Sequence, residues 1–395
     1  MIQMKHPWSA GAVAIAGAIV LGGLIAHADH RDDDRDDDGH GKRTVFVVAM
    51  ENHNWTQPTT TTSPQPVFMN PHAPFINSLV NGTSGISDQV AYATHYINSG
   101  VGVHPSEPNY IWAEAGDNFG VFNDDTPYHG DCTPDTVQTT DQHLTAFLMK
   151  RHRSWKSYQE DTDVDLTTNV PLPKTQWTVP LLNLSGAFTA GGLNAYNYAT
   201  QYNYAAKHNP MVFFTDTNGG CNTTSTNPLR TNYAPLQQLT LDLQSGDVAD
   251  YNWITPNQFN DMHTTLTNGY GGPVGTPDKS DGGRIAQGDN FLARIVPLLM
   301  ASDAYKRGGI IFLWWDESEG GDTPDFTLPF IVISRDAHEN VGGLPFASST
   351  QYSHSSFLRT MQKIFDVDPE EGFPFLGAAA SASDLSALFK HGVIK

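Results

Sequence analysis

The sequence predicts an α/β fold in which helices cover both faces of a mostly parallel sheet. Short, continuously apolar runs occur along the chain, as expected for parallel strands that are buried on both faces. Stretches with apolar residues at helical spacing lie between these runs. With 20 Phe, 14 Tyr and 8 Trp in 395 residues, the chain can build a large core, which excludes a mainly disordered protein.

Five apolar runs are predicted to be strands. The first, Thr-Val-Phe-Val-Val-Ala-Met, begins the folded part of the chain, and Gly-Ile-Ile-Phe-Leu-Trp-Trp has the same character. The runs lie at residues 44–50, 210–215, 251–255, 309–315 and 328–334.

Three stretches are predicted to be helices, at residues 142–151, 289–301 and 355–365. The second is amphipathic and directs its apolar side chains inward, namely Phe291, Leu292, Ile295, Val296 and Leu299. Long segments rich in Gly, Pro, Asn and Thr interrupt the alternation, and loops of that length are usually functional. The longest are at residues 56–75, 117–141 and 216–233.

The amino-terminal region has the pattern of an export signal. Lys5 precedes an apolar stretch that ends in the cleavage pattern Ala26-His27-Ala28. We therefore expect residues 1–28 to be a signal peptide, residues 29–43 a disordered acidic leader and residues 44–395 a single domain. An uncleaved anchor is the alternative, but the stretch is short for a membrane span, so we expect no stable transmembrane anchor.

Charge and cysteine content bear on partners and compartment. The chain has 42 acidic and 22 basic side chains and a net charge of -20, so we expect no nucleic acid partner. Export implies a secreted or periplasmic protein in an oxidising compartment. Cys132 and Cys221 are therefore expected to form a disulfide, with two free thiols as the alternative.

Acids and amides follow several of the predicted strands. These clusters are Glu51-Asn52, Asp316-Glu317 and, somewhat further along, Asp261-Met262-His263. Ligands bind at the carboxyl ends of strands in such sheets. Carboxylates gathered there would repel one another unless a cation neutralised them. The pattern favours a metal site, and the alternative is that each acid caps the following helix.

Ser106 precedes a helix-like run from residue 109 to residue 115. The free backbone N–H groups and the dipole of a helix N-terminus favour an anion. A serine in this position can be a nucleophile whose phosphorylated form is stabilised there. The alternative is a serine that only caps the helix.

Eight segments together resemble the phosphoesterase family that contains bacterial acid phosphatases and phosphatidylcholine-type phospholipases C, in the alkaline-phosphatase-like superfamily. They are Val48-Ala-Met-Glu51-Asn52-His-Asn54, His104-Pro-Ser106-x-Pro108-Asn109-Tyr110, Ser154-Trp155-Lys-x-Tyr158-x-Glu160, Lys207-His-Asn-Pro210, Pro256-Asn257 through Asp261-Met262-His263, Gly288-Asp289 opening a helix, Trp315-Asp316-Glu317-x-x-Gly320-Gly321 and Tyr352-Ser353-His354-x-Ser356. They follow the family's order and span roughly residues 44–367.

The resemblance implies an alkaline-phosphatase-like three-layer α/β/α sandwich with a mostly parallel central sheet. It also implies a role for each matching residue. The implied metal ligands are Glu51, Asn52, Ser106, Asp316 and Glu317, the implied catalytic residues are Ser106, His263 and His354, and the implied substrate-binding residues are His104, Asn109 and Asp261.

The metal is expected to be a divalent ion. Glu317 stands where the two-zinc relatives place a histidine, and an oxygen-rich site favours calcium, magnesium or manganese over zinc. The segment after Gly321 also lacks the Asp-His pair of many relatives, so its contribution to the site stays open.

The implied function is a secreted, metal-dependent phosphoric ester hydrolase that uses a serine nucleophile and a phosphoserine intermediate. Its substrate is a phosphate ester, and a phospholipid is one candidate. Trp55, Tyr110 and Trp112 either line a path for such a lipid or belong to the core. The alternative is a non-catalytic exported binding protein with a degenerate phosphatase-like site.

Overall fold

An eight-stranded sheet lies at the centre of the computed structural model, which describes residues 43–272, 275–340, 342 and 344–394. Its strands are β1 Val45–Met50, β2 Val90–Tyr96, β3 Trp155–Gln159, β6 Tyr233–Pro235, β7 Tyr251–Thr255, β8 Ile310–Trp315, β9 Phe330–Ile333 and β10 Phe346–Tyr352. A separate antiparallel hairpin contains β4 Leu184–Ala187 and β5 Gln201–Tyr204. The predicted signal peptide and nearly all of the predicted leader lie outside the described residues.

The strands of the large sheet are ordered β10-β2-β9-β8-β1-β7-β3-β6. Within the described residues, every strand pair of this sheet is parallel except those that β9 makes with β8 and β2. Because β1 is central and paired on both sides, all six of its residues are buried. The prediction of a mostly parallel α/β sheet is confirmed.

Helices pack on both faces of the sheet. They are α1 Pro74–Asn81, α2 Ser106–Ala115, α3 Leu144–Lys150, α4 Thr215–Asn218, α5 Leu236–Ser245, α6 Asp281–Ala301, α7 Asp303–Lys306 and α8 His354–Ile364. Tyr110 of α2 packs against Trp253 and Trp314 on one face. Gly288 of α6 lies against Met50 of β1. Successive side chains of a strand point to opposite faces of the sheet, and Met50 points to the face opposite Tyr110. The protein is therefore a three-layer α/β/α sandwich.

One predicted strand and one predicted helix start are wrong. Residues 210–215 contain a 3₁₀ helix, Pro210–Phe213, which is fully buried, and a continuous apolar run indicates burial without deciding between strand and helix. The helix predicted from residue 289 begins at Asp281, so Gly288 and Asp289 lie inside it. Asp289 instead accepts hydrogen bonds from the backbone N–H groups of Phe75 and Ile76 at the start of α1.

The predicted disulfide is present between Cys132 and Cys221, 89 residues apart, and it joins the two long loops that contain them. None of the described helices combines the length and the apolar character that a bilayer span requires.

Candidate active site

The carboxyl end of β1 brings a buried carboxylate to the edge of the sheet. Glu51 is fully buried, and its backbone N–H donates to the carbonyl of Asp261 in the segment after β7. Asn52 adopts a left-handed conformation with φ of 48°, which asparagine tolerates better than most residues. This turn directs the Asn52 backbone N–H to Asp316 Oδ1 at 3.0 Å. These two hydrogen bonds therefore bring the segments that follow β1, β7 and β8 close together.

Ser106 is the first residue of α2 and follows the loop that leaves β2. Its Oγ lies 3.1 Å from Glu51 Oε2 and 3.2 Å from Glu317 Oε1. The N-cap position belongs to Pro105, and the described structure gives α2 no side-chain cap. The Ser106 hydroxyl therefore faces two carboxylates instead of capping its own helix.

Burial and mutual repulsion perturb the carboxylates around Ser106. Burial raises the pKa of Glu51 well above its usual range, and the charges of Asp316 and Asp261 raise this pKa further. The pKa of Asp316 is raised by burial and by Glu317, and the pKa of Asp261 is raised chiefly by burial. These groups cannot all be ionised at neutral pH without a compensating positive charge.

His208 lies between two of these carboxylates and was not among the predicted site residues. Its Nε2 is 3.2 Å from Glu51 Oε1, and its Nδ1 is 3.2 Å from Asp261 Oδ2. Burial and the neighbouring charge of Lys207 hold the pKa of His208 well below its usual value, so the ring is neutral. A neutral imidazole has one N–H, so one of these carboxylates faces a ring lone pair. The sequence signal for His208 was the motif Lys207-His-Asn-Pro210.

His263 adds a second imidazole on the same side. Its Nδ1 is 2.9 Å from Thr264 Oγ1, and its Nε2 is 3.3 Å from Lys207 Nζ. Burial and the charge of Lys207 lower the pKa of His263 to about 4. Ligand atoms of Glu51, His208 and His263 lie within 4.8 Å of one another.

A further histidine, His104, is connected to Ser106 through Glu317. Its Nδ1 makes a short hydrogen bond with Glu317, and its Nε2 lies 2.8 Å from Asp322 Oδ1. The hydrogen bond to Glu317 raises the pKa of His104, whereas burial lowers it. Together with the contact to Asp322, the hydrogen bond outweighs burial and brings the pKa to about 9. The side chain is 36% exposed. Asp322, directly after Gly321, therefore does contribute to the site although no histidine follows it.

His354 lies behind the site with both ring nitrogens engaged. The indole N–H of Trp314 can only donate, so Nδ1 of His354 is the acceptor at 3.0 Å. The proton is then on Nε2, which donates to the backbone carbonyl of Asp316. Burial lowers the pKa of His354 to about 3, and the ring is fully buried. This geometry places His354 as a support for Asp316 rather than as a group that reaches a substrate.

Asn109 is also fully buried and supports the loop in front of Ser106. Its Nδ2 donates to the carbonyl of Val103 at 2.9 Å, and its Oδ1 accepts from Ser99 Oγ. Trp55 and Tyr110 are buried in the hydrophobic core, with 2% and 0% exposure. Neither of these two side chains lines an open path for a lipid, whereas Trp112 is only partly buried.

The residues at this edge fit a divalent cation. Four buried ligand atoms make no hydrogen bond of acceptable geometry within the described ranges, although the His208 ring lies 3.2 Å from Glu51 and Asp261: Asn52 Oδ1, His208 Nε2, Asp261 Oδ2 and Asp316 Oδ2. Buried polar atoms are rarely left unpaired, and a bound ion would satisfy them. The set includes imidazole nitrogen, so it is less purely oxygen-based than the predicted ligands.

The family model for the phosphoesterase family matches residues 37–368, which is most of the chain. The chain belongs to the phosphoesterase family. This membership confirms the resemblance that the eight segments indicated.

Two curated relatives are similar over long stretches. A phosphate-repressible acid phosphatase from Penicillium chrysogenum is 24% identical over 69% of this chain and 51% of its own length. A phosphatidylinositol-3-phosphatase from Mycobacterium tuberculosis is 25% identical over 87% of this chain and 82% of its own length. The chain thus spans about half the length of the fungal relative.

A solved structure of an alkaline phosphatase superfamily protein from Vibrio parahaemolyticus is also similar, at 11% identity and a TM-score of 0.44. The structural match covers 82% of this chain and 67% of the Vibrio chain.

Proposed function

We propose that the protein is a metal-dependent phosphoric ester hydrolase in which Ser106 attacks phosphorus. The observation that carries this proposal is the position of Ser106 Oγ, at the first residue of α2 and within 3.2 Å of two carboxylates. A carboxylate can accept the proton of an attacking hydroxyl. The N-terminus of α2 favours the anion that the attack produces.

The proposed reaction has two steps. Ser106 Oγ forms a bond to phosphorus, its proton passes to Glu51 or Glu317, and the bond between phosphorus and the alcohol oxygen breaks. The departing oxygen takes a proton from His104, which is partly exposed and hydrogen-bonded to Glu317. Water then attacks the phosphoserine and gives a proton to His104, the P–Oγ bond breaks, and Ser106 Oγ takes back the proton held by the glutamate as inorganic phosphate leaves.

The metal would be held by a subset of the ligand atoms at this edge. The candidates are Glu51, Asn52, Ser106, Asp261, Asp316 and Glu317 through oxygen, together with His208 and His263 through nitrogen. A divalent ion supplies positive charge that offsets the charge of the phosphoryl oxygens and favours the deprotonated hydroxyl. His354 would act through Asp316, whose backbone carbonyl it holds.

The disulfide supports a secreted or periplasmic location, because such bonds persist in oxidising compartments. The names of the two relatives support a phosphate ester as the substrate. The competing proposal is an exported binding protein with a degenerate site. This alternative predicts that the protein hydrolyses no phosphate ester.

The replacement Ser106→Ala tests the proposal directly. We expect hydrolysis of p-nitrophenyl phosphate to fall on the order of 10³-fold or more, because the attacking oxygen is removed. Acid quench during turnover should trap phosphate on the wild-type peptide that contains Ser106. Ser302→Ala is a matched control, since Ser302 is a buried serine at the N-terminus of α7.

Near-normal turnover in a folded Ser106→Ala variant would identify water or another hydroxyl as the nucleophile. Wild-type protein with no activity on monoesters, diesters or phosphatidylcholine, with or without added divalent ions, would support the binding protein instead.

A further inference from the structure

Lys207 is a nearly buried cation beside the site that the reaction above does not use. Its side chain is 12% exposed, and its Nζ lies 2.7 Å from Asp124 Oδ2 and 3.3 Å from His263 Nε2. It lies in a 3₁₀ helix, Ala206–His208, directly before the histidine that lies between Glu51 and Asp261. This position brings its charge to bear on the same carboxylates that surround Ser106.

The ammonium group of Lys207 forms an ion pair with Asp124 although it is nearly buried. Burying an ammonium is costly unless it is paired. Its partner Asp124 is 32% exposed and also accepts a hydrogen bond from the backbone N–H of Glu107. The Asp124 carboxylate is therefore shared between Lys207 and the backbone of α2.

The geometry leaves Lys207 a donor for a ligand. A lysine ammonium has three N–H donors, and within the described ranges Nζ makes hydrogen-bond contacts with Asp124 and His263. The contact to Asp124 also ties Lys207 to the first turn of α2, because Glu107 follows Ser106 directly. Lys207 is therefore one carboxylate away from the residue that follows Ser106.

We propose that Lys207 binds a phosphoryl oxygen of the substrate and gives the site a preference for phosphate monoesters over diesters. This inference rests on the proposed function. A monoester is close to a dianion above its second pKa of about 6, whereas a diester carries one negative charge. The carboxylates of the site repel both, and a fixed cation reduces this repulsion most for the ligand of higher charge.

The test compares two ester classes in two matched lysine variants. Lys156 is the control, since this lysine of β3 is 13% exposed and pairs with Asp242 of α5. Wild type, Lys207→Met, Lys207→Arg and Lys156→Met are assayed at pH 7.5 with p-nitrophenyl phosphate and with bis-p-nitrophenyl phosphate. Inhibition by inorganic phosphate is measured in each, and circular dichroism checks the fold.

Wild type should prefer the monoester. In Lys207→Met we expect kcat/KM for the monoester to fall roughly 10- to 100-fold, as for one lost charge-assisted hydrogen bond, with a clearly smaller loss for the diester. Inhibition by phosphate should weaken in parallel, Lys207→Arg should retain most of the preference, and Lys156→Met should keep the wild-type ratio.

Equal losses for both esters in Lys207→Met, or a wild type that prefers diesters, would overturn this inference while leaving the hydrolase intact. Unchanged phosphate inhibition in Lys207→Met would overturn it as well. A wild type that cleaves neither ester and does not bind phosphate would overturn the proposed function and this inference together.

Discussion

Two hydrogen bonds hold Asp316 at the end of β8 and leave one carboxylate oxygen without a partner among the described residues. One carboxylate oxygen accepts the backbone N–H of Asn52, the backbone carbonyl accepts His354, and Oδ2 has no partner in the described part of the chain. An oxygen that is buried, unpaired and held in place by its neighbours is suited to bind a cation without reorganisation. This residue is therefore the best single position at which to test the metal.

We predict that chelation abolishes hydrolysis and that a divalent ion restores it. Asp316→Asn should lower metal affinity by at least about 10- to 100-fold, because the variant removes a formal charge from the ligand set. Elemental analysis and activity are measured on the same samples. Asp289→Asn is the control, since Asp289 is buried but caps α1 instead of facing Ser106. Full activity in metal-free protein would contradict the prediction.

The site residues that directly follow strands could be predicted from the sequence. The sequence did not identify His208 as a site residue. Glu51 and Asp316 directly follow continuously apolar runs, so their positions at one edge follow from parallel pairing. His208 lies in a short 3₁₀ helix inside a long irregular stretch, where no periodicity fixes the direction of a side chain. Only packing of the folded chain places it between Glu51 and Asp261.

The first residue of α6 makes several contacts with the loop that follows β1. Asp281, its first residue, accepts hydrogen bonds from Arg284 and the backbone N–H of Gln65, and lies 3.3 Å from His53 Nε2. Burial raises the pKa of Asp281, but the contacts with His53, Gln65 and Arg284 outweigh it and lower the pKa to about 2. The ionised carboxylate therefore stabilises the folded state.

We predict that Asp281→Asn destabilises the protein on the order of 1 kcal/mol near neutral pH. The folded pKa lies below the unfolded value, so this contribution is present above about pH 4 and is lost as pH falls toward 2. Denaturant unfolding of wild type and variant at pH 7, 4 and 3 measures it. Asp303→Asn, at the exposed start of α7, should have little effect. A difference that does not change with pH would contradict the assignment to charge.

The central strands were predictable and the peripheral ones were not. β1, β7 and β8 are fully buried, and their sequences are apolar apart from Asn252 and Thr255 of β7. β10 is at the edge of the sheet and its residues are mostly exposed, while β3 contains Lys156 and Gln159. Such strands lack a continuous apolar run, and they form because a neighbouring strand supplies the hydrogen-bond partners. β2, which leads to Ser106, was missed in the same way.

The disulfide links two residues that are 89 positions apart in the chain. It joins the loop after α2 to the segment after α4, across 89 residues that include β3 and the β4–β5 hairpin. In the chain-entropy model, closing a loop of this size restricts the unfolded chain more than the folded one. The bond therefore bears on global stability more than on the geometry around Ser106.

We predict that reduction of Cys132–Cys221 lowers the free energy of unfolding by roughly 3–5 kcal/mol. Unfolding midpoints with and without dithiothreitol measure the effect. The double variant Cys132→Ser with Cys221→Ser should match the reduced protein and show no response to the reductant. Two titratable thiols in unreduced, unfolded wild type would contradict the bond itself.

The reversed direction of β9 gives the protein one loop that can change with little disturbance to the scaffold. β9 is antiparallel to β8, so the segment between them begins and ends at the edge that carries Ser106. Asp316, Glu317 and Asp322 all come from this segment. A parallel successor would instead have required a crossover to the opposite edge. Insertions between Asp322 and Phe330 would therefore change the surroundings of the site while both flanking strands stay paired, which makes this segment a suitable place to alter selectivity.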